Sequence, residues 1–140
     1  MEPLVIEATD KTPGIILDPY NDNYEISGIS RPENVHEFYC PVINWLNEFE
    51  KEVLDKKIIK FDKKHPLNFN LKMNYFNSSS AKFMYDVMSE LVKFHKKGHI
   101  IRILWYFEKE DEDMKYAGEE MSELLEIPFQ IIETPPIDYH

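Results

Sequence analysis

Three consecutive serines after an asparagine are the residues of this chain best placed to carry chemistry. Asn77 is followed by Ser78, Ser79 and Ser80, and the run separates an alternating apolar segment from one with helical apolar spacing. One serine is enough to cap a helix, so three leave hydroxyl groups to spare. A phosphate added here would lie at the positive end of the helix, near free backbone N–H groups. The run therefore permits a phosphorylation switch, and it also fits an ordinary helix N-terminus.

Carboxylates crowd into residues 108–126. This segment holds nine acidic residues and two lysines, and so carries −7 of the net charge of −10. The pattern is typical of a solvated helix start, and it fits a docking face for a basic partner equally well. Its spacing lacks the alternating oxygen ligands and central glycine of a calcium-binding loop, which disfavours an ion site. The residues that we name for the docking face are Asp111, Glu112, Asp113 and Glu119.

Familiar catalytic and metal-binding motifs are missing from the sequence. There are only four glycines, with no Gly-x-Ser-x-Gly elbow and no glycine-rich phosphate loop. The single cysteine, Cys40, excludes an internal disulfide and a zinc site built on several thiolates. His95 and His99 are four residues apart, but Gly98 should end the helix between them. We therefore expect a protein without catalytic residues, cofactor or metal; a small enzyme with an unrecognised site is the less favoured alternative.

The spacing of apolar residues predicts an α/β framework for these side chains. The pattern predicts six strands, near residues 4–8, 15–17, 24–28, 68–75, 100–107 and 129–132. It also predicts three main helices: one from Pro41 to about Lys56, one from the serine run to Gly98, and one over residues 114–125. The order β-β-β-α-β-α-β-α-β indicates an α/β sandwich with a mixed sheet.

Four finer features follow from the same patterns. Ser30 and Glu33 have the spacing of a capping box, with a helix break near Cys40 before the main helix restarts. Strict alternation puts Tyr75 on the same face as the apolar residues before it. Residues 100–107 are apolar on both faces, as in a central strand between two helical layers. The tail, residues 134–140, contains two prolines and should be extended or frayed.

Length and composition predict a single domain over residues 1–140. Hydrophobic residues make up 43% of the chain and aromatic residues 14%, which argues against disorder. The net charge of −10 disfavours binding to nucleic acid and to anionic membranes. There is no basic region followed by an apolar run at the N-terminus, and no apolar stretch long enough to span a bilayer. We expect a soluble cytoplasmic protein.

Segments over nearly the whole chain also carry a family resemblance. In chain order they are residues 12–18, 26–34, 38–41, 45–46, 74–82, 105–107, 111–114 and 118–119. They resemble the SiaC-type family of bacterial biofilm-regulation phosphoproteins. Residues 74–82, Asn-Tyr-Phe-Asn-Ser-Ser-Ser-Ala-Lys, resemble the family's Tyr-Phe-Asn-Thr-Ser-Ser-x-Lys segment.

The resemblance implies a fold similar to STAS domains and a specific phosphoacceptor. In such proteins a partner kinase phosphorylates a hydroxyl where a strand meets a helix, and a PP2C-type phosphatase removes the phosphate. The family's acceptor threonine falls on Ser78, which keeps the hydroxyl. Ser79 and Ser80 are fallback acceptors, and Asn77 shapes the turn or caps the helix.

The resemblance further implies a partner. The unphosphorylated form of the family's proteins binds and activates a diguanylate cyclase, which links them to cyclic di-GMP and biofilm signalling. The alternative is a passive interaction or scaffold domain in which Ser78 is only a helix cap.

Overall fold

Alternating apolar side chains build a six-stranded sheet in the computed structural model, which describes residues 1–136. The strands lie side by side in chain order; β1 to β3 pair antiparallel, and β3 to β6 pair parallel. Their bounds are β1 Leu4–Ile6, β2 Gly14–Asp18, β3 Asn23–Ser30, β4 Leu67–Phe76, β5 Ile101–Glu108 and β6 Gln130–Thr134. The predicted mixed sheet of six strands is confirmed.

Three helices connect the parallel strands. They are α1 Val35–Phe49, α2 Ser78–Lys96 and α3 Glu112–Leu125, and a π-helical turn, Glu50–Leu54, extends α1. Each helix therefore links one parallel strand to its neighbour, which confirms the predicted order of elements. No helix within residues 1–136 is long and apolar enough to cross a membrane.

The helices cover one face of the sheet. Ile26, Leu71 and Trp105 are paired across β3, β4 and β5, and all three side chains are buried. The Trp105 Nε1–H donates to the carbonyl of Met114 in α3, at 2.9 Å. Since residues opposite one another in neighbouring strands share a face, these side chains form one apolar layer beneath the helices.

No helix within residues 1–136 covers the other face of the sheet. Leu104 and Tyr106 on this face of β5 are half-buried, and the Tyr106 hydroxyl donates to Asn70 Oδ1 on β4 at 3.1 Å. The prediction that residues 100–107 lie between two helical layers is therefore wrong. Polar neighbours and the aromatic ring of Tyr106 shield this face instead.

The predicted start of the first helix is also wrong. Ser30 lies at the end of β3 and is fully buried, whereas Asn34 caps α1 by accepting the Glu37 N–H at 3.0 Å. The helix runs through Pro41 without the expected break near Cys40. Packing of the apolar stripe of α1 against the sheet offsets the hydrogen bond that the proline cannot donate.

A bulge in β4 reverses the faces of its last residues. Gly28 pairs with Met73 and the next residue of β3 pairs with Tyr75, so Asn74 is an extra residue. Gly28 has a φ of +103°, a conformation that a glycine adopts without strain. As a result Tyr75 is 50% exposed and Phe76 turns to pack against the core. The prediction that Tyr75 lies on the apolar face is wrong for this reason.

The predicted tail begins too early. Thr134 is the last residue of β6 and pairs with Glu108 of β5. The final part of that prediction, residues 137–140, lies outside the described residues.

Candidate functional site

Asn77 caps α2 at the junction with β4. Its backbone is extended, with φ −85° and ψ 173°, and its Oδ1 accepts the backbone N–H of Ser80 at 2.9 Å. The same oxygen accepts the hydroxyl of Ser79 at 3.1 Å. The first N–H groups of the helix, those of Ser78 and Ser79, have no acceptor within the helix. Capping is therefore done by the asparagine, and none of the three serines is needed for it.

The three serines differ in accessibility. Ser78 and Ser79 are exposed, whereas Ser80 is fully buried. The Ser79 hydroxyl is held by Asn77, but within residues 1–136 no hydrogen bond holds the hydroxyl of Ser78. Ser78 thus presents a free hydroxyl to solvent on the first residue of α2, while Ser80 is out of reach of another protein in this conformation.

A buried chain of hydroxyl groups lies beneath this junction. Ser80 Oγ donates to the carbonyl of Ser30 at 3.1 Å, and Ser30 Oγ donates to Ser80 Oγ at 2.8 Å. Because Ser30 has only one hydroxyl proton, the Tyr39 hydroxyl must donate to Ser30 Oγ, 2.6 Å away. Burial raises the pKa of Tyr39, which keeps its proton in place. The chain ties α1, β3 and α2 together directly under the serine run.

The surroundings of Ser78 favour an added negative charge on its own helix. Lys82 lies one turn further along α2 with its side chain 75% exposed, and its Nζ is 4.0 Å from Asp86. Residues four apart on a helix are neighbours, so Lys82 can reach a phosphate on Ser78. The unpaired N–H groups at the start of α2 point in the same direction. The site can accept a phosphoryl group, and a partner kinase would have to supply the nucleotide and the Mg²⁺.

A groove runs along α3 near the serine run, first against the end of β4 and then against α2. It consists of two adjoining hollows of about 320 and 310 Å³ that share Phe76 and Ala117. The first is lined also by Asn74, Tyr75, Asp111, Asp113 and Met114, and the second by Ala81, Lys82, Tyr85, Glu120, Met121 and Leu124. We call these residues the α2–α3 groove. It is the concave surface closest in sequence to Ser78.

The acidic residues named from the sequence divide into two groups. Asp111 caps α3 by accepting the Met114 N–H at 3.1 Å, and both Asp111 and Asp113 line the α2–α3 groove. Glu112 and Glu119 are exposed but do not line it. The groove's carboxylates are therefore only part of the expected acidic face.

Sequence reasoning missed the apolar wall of the groove. Leu124 is 64% exposed and Tyr85 37% exposed, although both follow helical apolar spacing. A sequence does not show which apolar residues of two neighbouring helices stay exposed and form one surface, because that depends on how the helices pack.

The histidines do not converge on a metal site. His95 is exposed on α2, whereas His99 is buried beyond the end of that helix. Within residues 1–136 no three His, Cys, Asp or Glu side chains are grouped so that they could hold a metal ion.

The chain is similar over nearly its whole length to one protein family. A family model described as SiaC family regulatory phosphoprotein matches residues 6–134. A curated protein of Pseudomonas aeruginosa (strain UCBPP-PA14), named as uncharacterized, is 30% identical over 131 residues. That alignment covers 94% of this chain and 96% of the relative.

Solved structures of SiaC from Pseudomonas aeruginosa share the fold. The crystal structure of apo-SiaC matches with a TM-score of 0.76 at 30% identity, covering 94% of this chain and 99% of that chain. The structure of the diguanylate cyclase SiaD in complex with its activator SiaC matches with a TM-score of 0.78 at 30% identity. It covers 94% of this chain and 99% of the matched chain.

Proposed function

The chain belongs to the SiaC family of regulatory phosphoproteins, and we propose that phosphorylation of Ser78 controls its binding to a diguanylate cyclase. One observation carries the proposal: Ser78 is exposed at the start of α2 with its hydroxyl free, because Asn77 performs the capping. The protein acts in the cytoplasm as a single regulatory domain without catalytic residues of its own. A cognate serine/threonine kinase adds the phosphate and a PP2C-type phosphatase removes it.

Accessibility favours Ser78 over the neighbouring serines as the acceptor. The acceptor hydroxyl must enter the active site of the kinase, where the nucleotide is bound. Ser80 is fully buried, so its hydroxyl could enter that site only if the first turn of α2 unfolded. The Ser79 hydroxyl would first have to leave its hydrogen bond with Asn77. Ser78 needs neither step.

The α2–α3 groove is the surface on which we propose that the cyclase docks. The SiaC protein from Pseudomonas aeruginosa activates the cyclase SiaD and forms a complex with it, which supports the choice of partner class. A phosphate adds about −1.5 to −2 charges at pH 7. Placed beside apolar side chains and the groove carboxylates Asp113 and Glu120, it would have to lose its water when a partner docks. The unphosphorylated form is therefore the binding form.

The test combines phosphorylation with a binding titration. The full chain is treated with its kinase, and the modified residue is located by mass spectrometry. We expect the phosphate on Ser78, and we expect it to weaken binding of the cyclase by at least about tenfold. Ser78→Ala should bind as the unmodified protein does and should not be phosphorylated, and Ser78→Asp should bind more weakly.

Ser79→Ala is the matched control, because it removes an exposed hydroxyl one residue away. It should be phosphorylated and should bind the cyclase like the parent chain. A phosphate on another residue would overturn the assignment of Ser78. Equal cyclase affinity before and after phosphorylation would overturn the switch and favour the passive scaffold.

A further inference from the structure

A second concave surface lies at the far end of α2 from Ser78. It has a volume of about 510 Å³, within the range of small-ligand pockets. The residues that line it are Leu54, Asp55, Lys57, Ile59, Lys60, Lys97 and His99; we call it the lysine pocket. The 19 residues of α2 separate it from the serine run by roughly 28 Å at 1.5 Å per residue.

The pocket is positively charged in a chain whose net charge is −10. Its one lining carboxylate, Asp55, is engaged by Lys97, with Nζ–O distances of 2.9 and 3.2 Å, and the same Nζ lies 3.3 Å from Glu50 Oε2. Lys60 Nζ donates to the carbonyl of Gly98 at 2.8 Å, a neutral acceptor. Neither Lys57 nor Lys60 has a salt-bridge partner among the residues that the structure describes. Three lysines (Lys57, Lys60 and Lys97) thus face two carboxylates (Asp55 and Glu50), which leaves one positive charge in excess, and the ammonium groups of Lys57 and Lys60 lack a carboxylate partner.

His99 adds a directional donor to the pocket. Its side chain is only 6% exposed, and its Nδ1 accepts the backbone N–H of Phe61 at 3.2 Å. A ring nitrogen that accepts carries no proton, so the neutral ring must carry its proton on Nε2. Burial and the nearby charge of Lys60 lower the pKa of His99, which keeps the ring neutral at pH 7. Nε2–H has no hydrogen-bond acceptor among residues 1–136.

The backbone around Lys57 is held in an uncommon conformation. The π-helical turn Glu50–Leu54 precedes it, and Lys57 itself has a φ of +58°. This left-handed conformation is unfavourable for a residue with a side chain. π-helical turns and strained residues concentrate where proteins bind ligands.

We propose that the lysine pocket binds a small phosphate-bearing organic molecule. The phosphate oxygens accept from Lys57, Lys60 and the Nε2–H of His99, which together supply charge-assisted and directional hydrogen bonds. The apolar body of the ligand packs against Leu54 and Ile59. This binding is separate from phosphorylation at Ser78 and needs neither the kinase nor the cyclase.

The test is a titration of the unmodified full chain at constant ionic strength. Inorganic phosphate and phenyl phosphate are the two probes, followed by NMR of the His99 ring and by calorimetry. We expect saturable binding of both, with phenyl phosphate the tighter. Lys57→Gln, Lys60→Gln and His99→Asn should each weaken binding about fivefold to tenfold. In His99→Asn, the amide oxygen can still accept the Phe61 N–H while the Nε2–H donor is lost.

Two controls make the outcome decisive. Lys96→Gln removes an exposed charge at the same end of α2 but outside the pocket, and Ser78→Ala alters the distant serine run. Neither should change the affinity. If Lys96→Gln weakens binding as much as Lys57→Gln does, the probes respond to the general positive charge at this end of α2 and not to the pocket, and the proposal fails. It fails too if neither probe saturates, or if the pocket variants bind like the parent. Lys57 is exposed, so its variant is expected to fold normally even if His99→Asn does not.

Discussion

Replacing Ser30 by alanine should cost more stability than replacing Tyr39 by phenylalanine, although both changes break the same hydrogen bond. In the buried chain of hydroxyl groups, Tyr39 donates to Ser30, Ser30 to Ser80, and Ser80 to the carbonyl of Ser30. Tyr39→Phe removes a donor but leaves every remaining proton with an acceptor. Ser30→Ala removes the acceptor of the fully buried Tyr39 hydroxyl and also the donor to Ser80, so it breaks two hydrogen bonds of the chain.

The two costs differ because Ser30→Ala removes two hydrogen bonds and disturbs the buried partners of both, whereas Tyr39→Phe removes one. A typical hydrogen bond contributes about 1 kcal/mol, and a buried group left without a partner costs about 1–3 kcal/mol. We therefore expect Tyr39→Phe to lower the free energy of unfolding by about 1 kcal/mol and Ser30→Ala by about 2–3 kcal/mol. In the double variant the Tyr39–Ser30 hydrogen bond is lost only once, so its cost should fall below the sum of the single costs by at least about 1 kcal/mol.

Urea unfolding of the parent, the two single variants and the double variant measures all four free energies in one cycle. Ser79→Ala is the control for loss of a serine hydroxyl at the same junction, and it should change stability by less than about 0.5 kcal/mol. Equal costs for the two single variants, or strict additivity in the double variant, would refute the proton order that we derived.

Further predictions concern the cap, the helix contact and the response to acid. Asn77→Ala should lower the free energy of unfolding by about 1 kcal/mol, or the midpoint by about 2–4 °C in a thermal melt. Ser78→Ala should leave both nearly unchanged; a loss as large as that of Asn77→Ala would restore Ser78 as the cap. Gly118→Ala should cost about 1–3 kcal/mol in urea unfolding, because a Cβ there would lie 2.5–2.7 Å from the ring of Trp105; an unchanged midpoint would show that α3 can move away. Burial holds the pKa of His99 below its ordinary value of 6.5, so its contribution to stability is present above that pH and is lost as the pH falls through the folded-state value. Unfolding midpoints measured from pH 7.5 to 5 should show this loss in the parent and a flatter profile in His99→Asn; identical profiles would contradict it.

Local patterns were enough to predict the order of elements and the family. The alternation in β4 and the helical spacing after residue 80 placed the serine run between a strand and a helix, as the structure has it. The family resemblance named from the sequence is confirmed. The implied likeness to STAS domains stays a prediction, as does the choice of Ser78 as acceptor.

The errors arose where a distant partner decides the local structure. Ser30 has the spacing of a helix cap, but its hydroxyl donates a hydrogen bond to Ser80, which lies 50 residues further along the chain. No local pattern records such a contact. Which face of the sheet is covered also depends on the side on which the connecting helices pack. The apolar run of residues 100–107 alone therefore did not predict the polar surroundings of Leu104 and Tyr106.

The bulge in β4 fixes which side chains face the core just before the serine run. Each residue of a strand advances the chain by about 3.3 Å and reverses the direction of the next side chain. If Asn74 instead paired regularly with the residue after Gly28, Tyr75 would turn towards the core, Phe76 would turn towards solvent, and Tyr75 would take the place of Phe76 beside Ser30. Homologous chains that keep an exposed hydroxyl here should therefore either keep the extra residue or lack it outright, since both keep Phe76 beside Ser30, while the loop before β4 is free to vary in length.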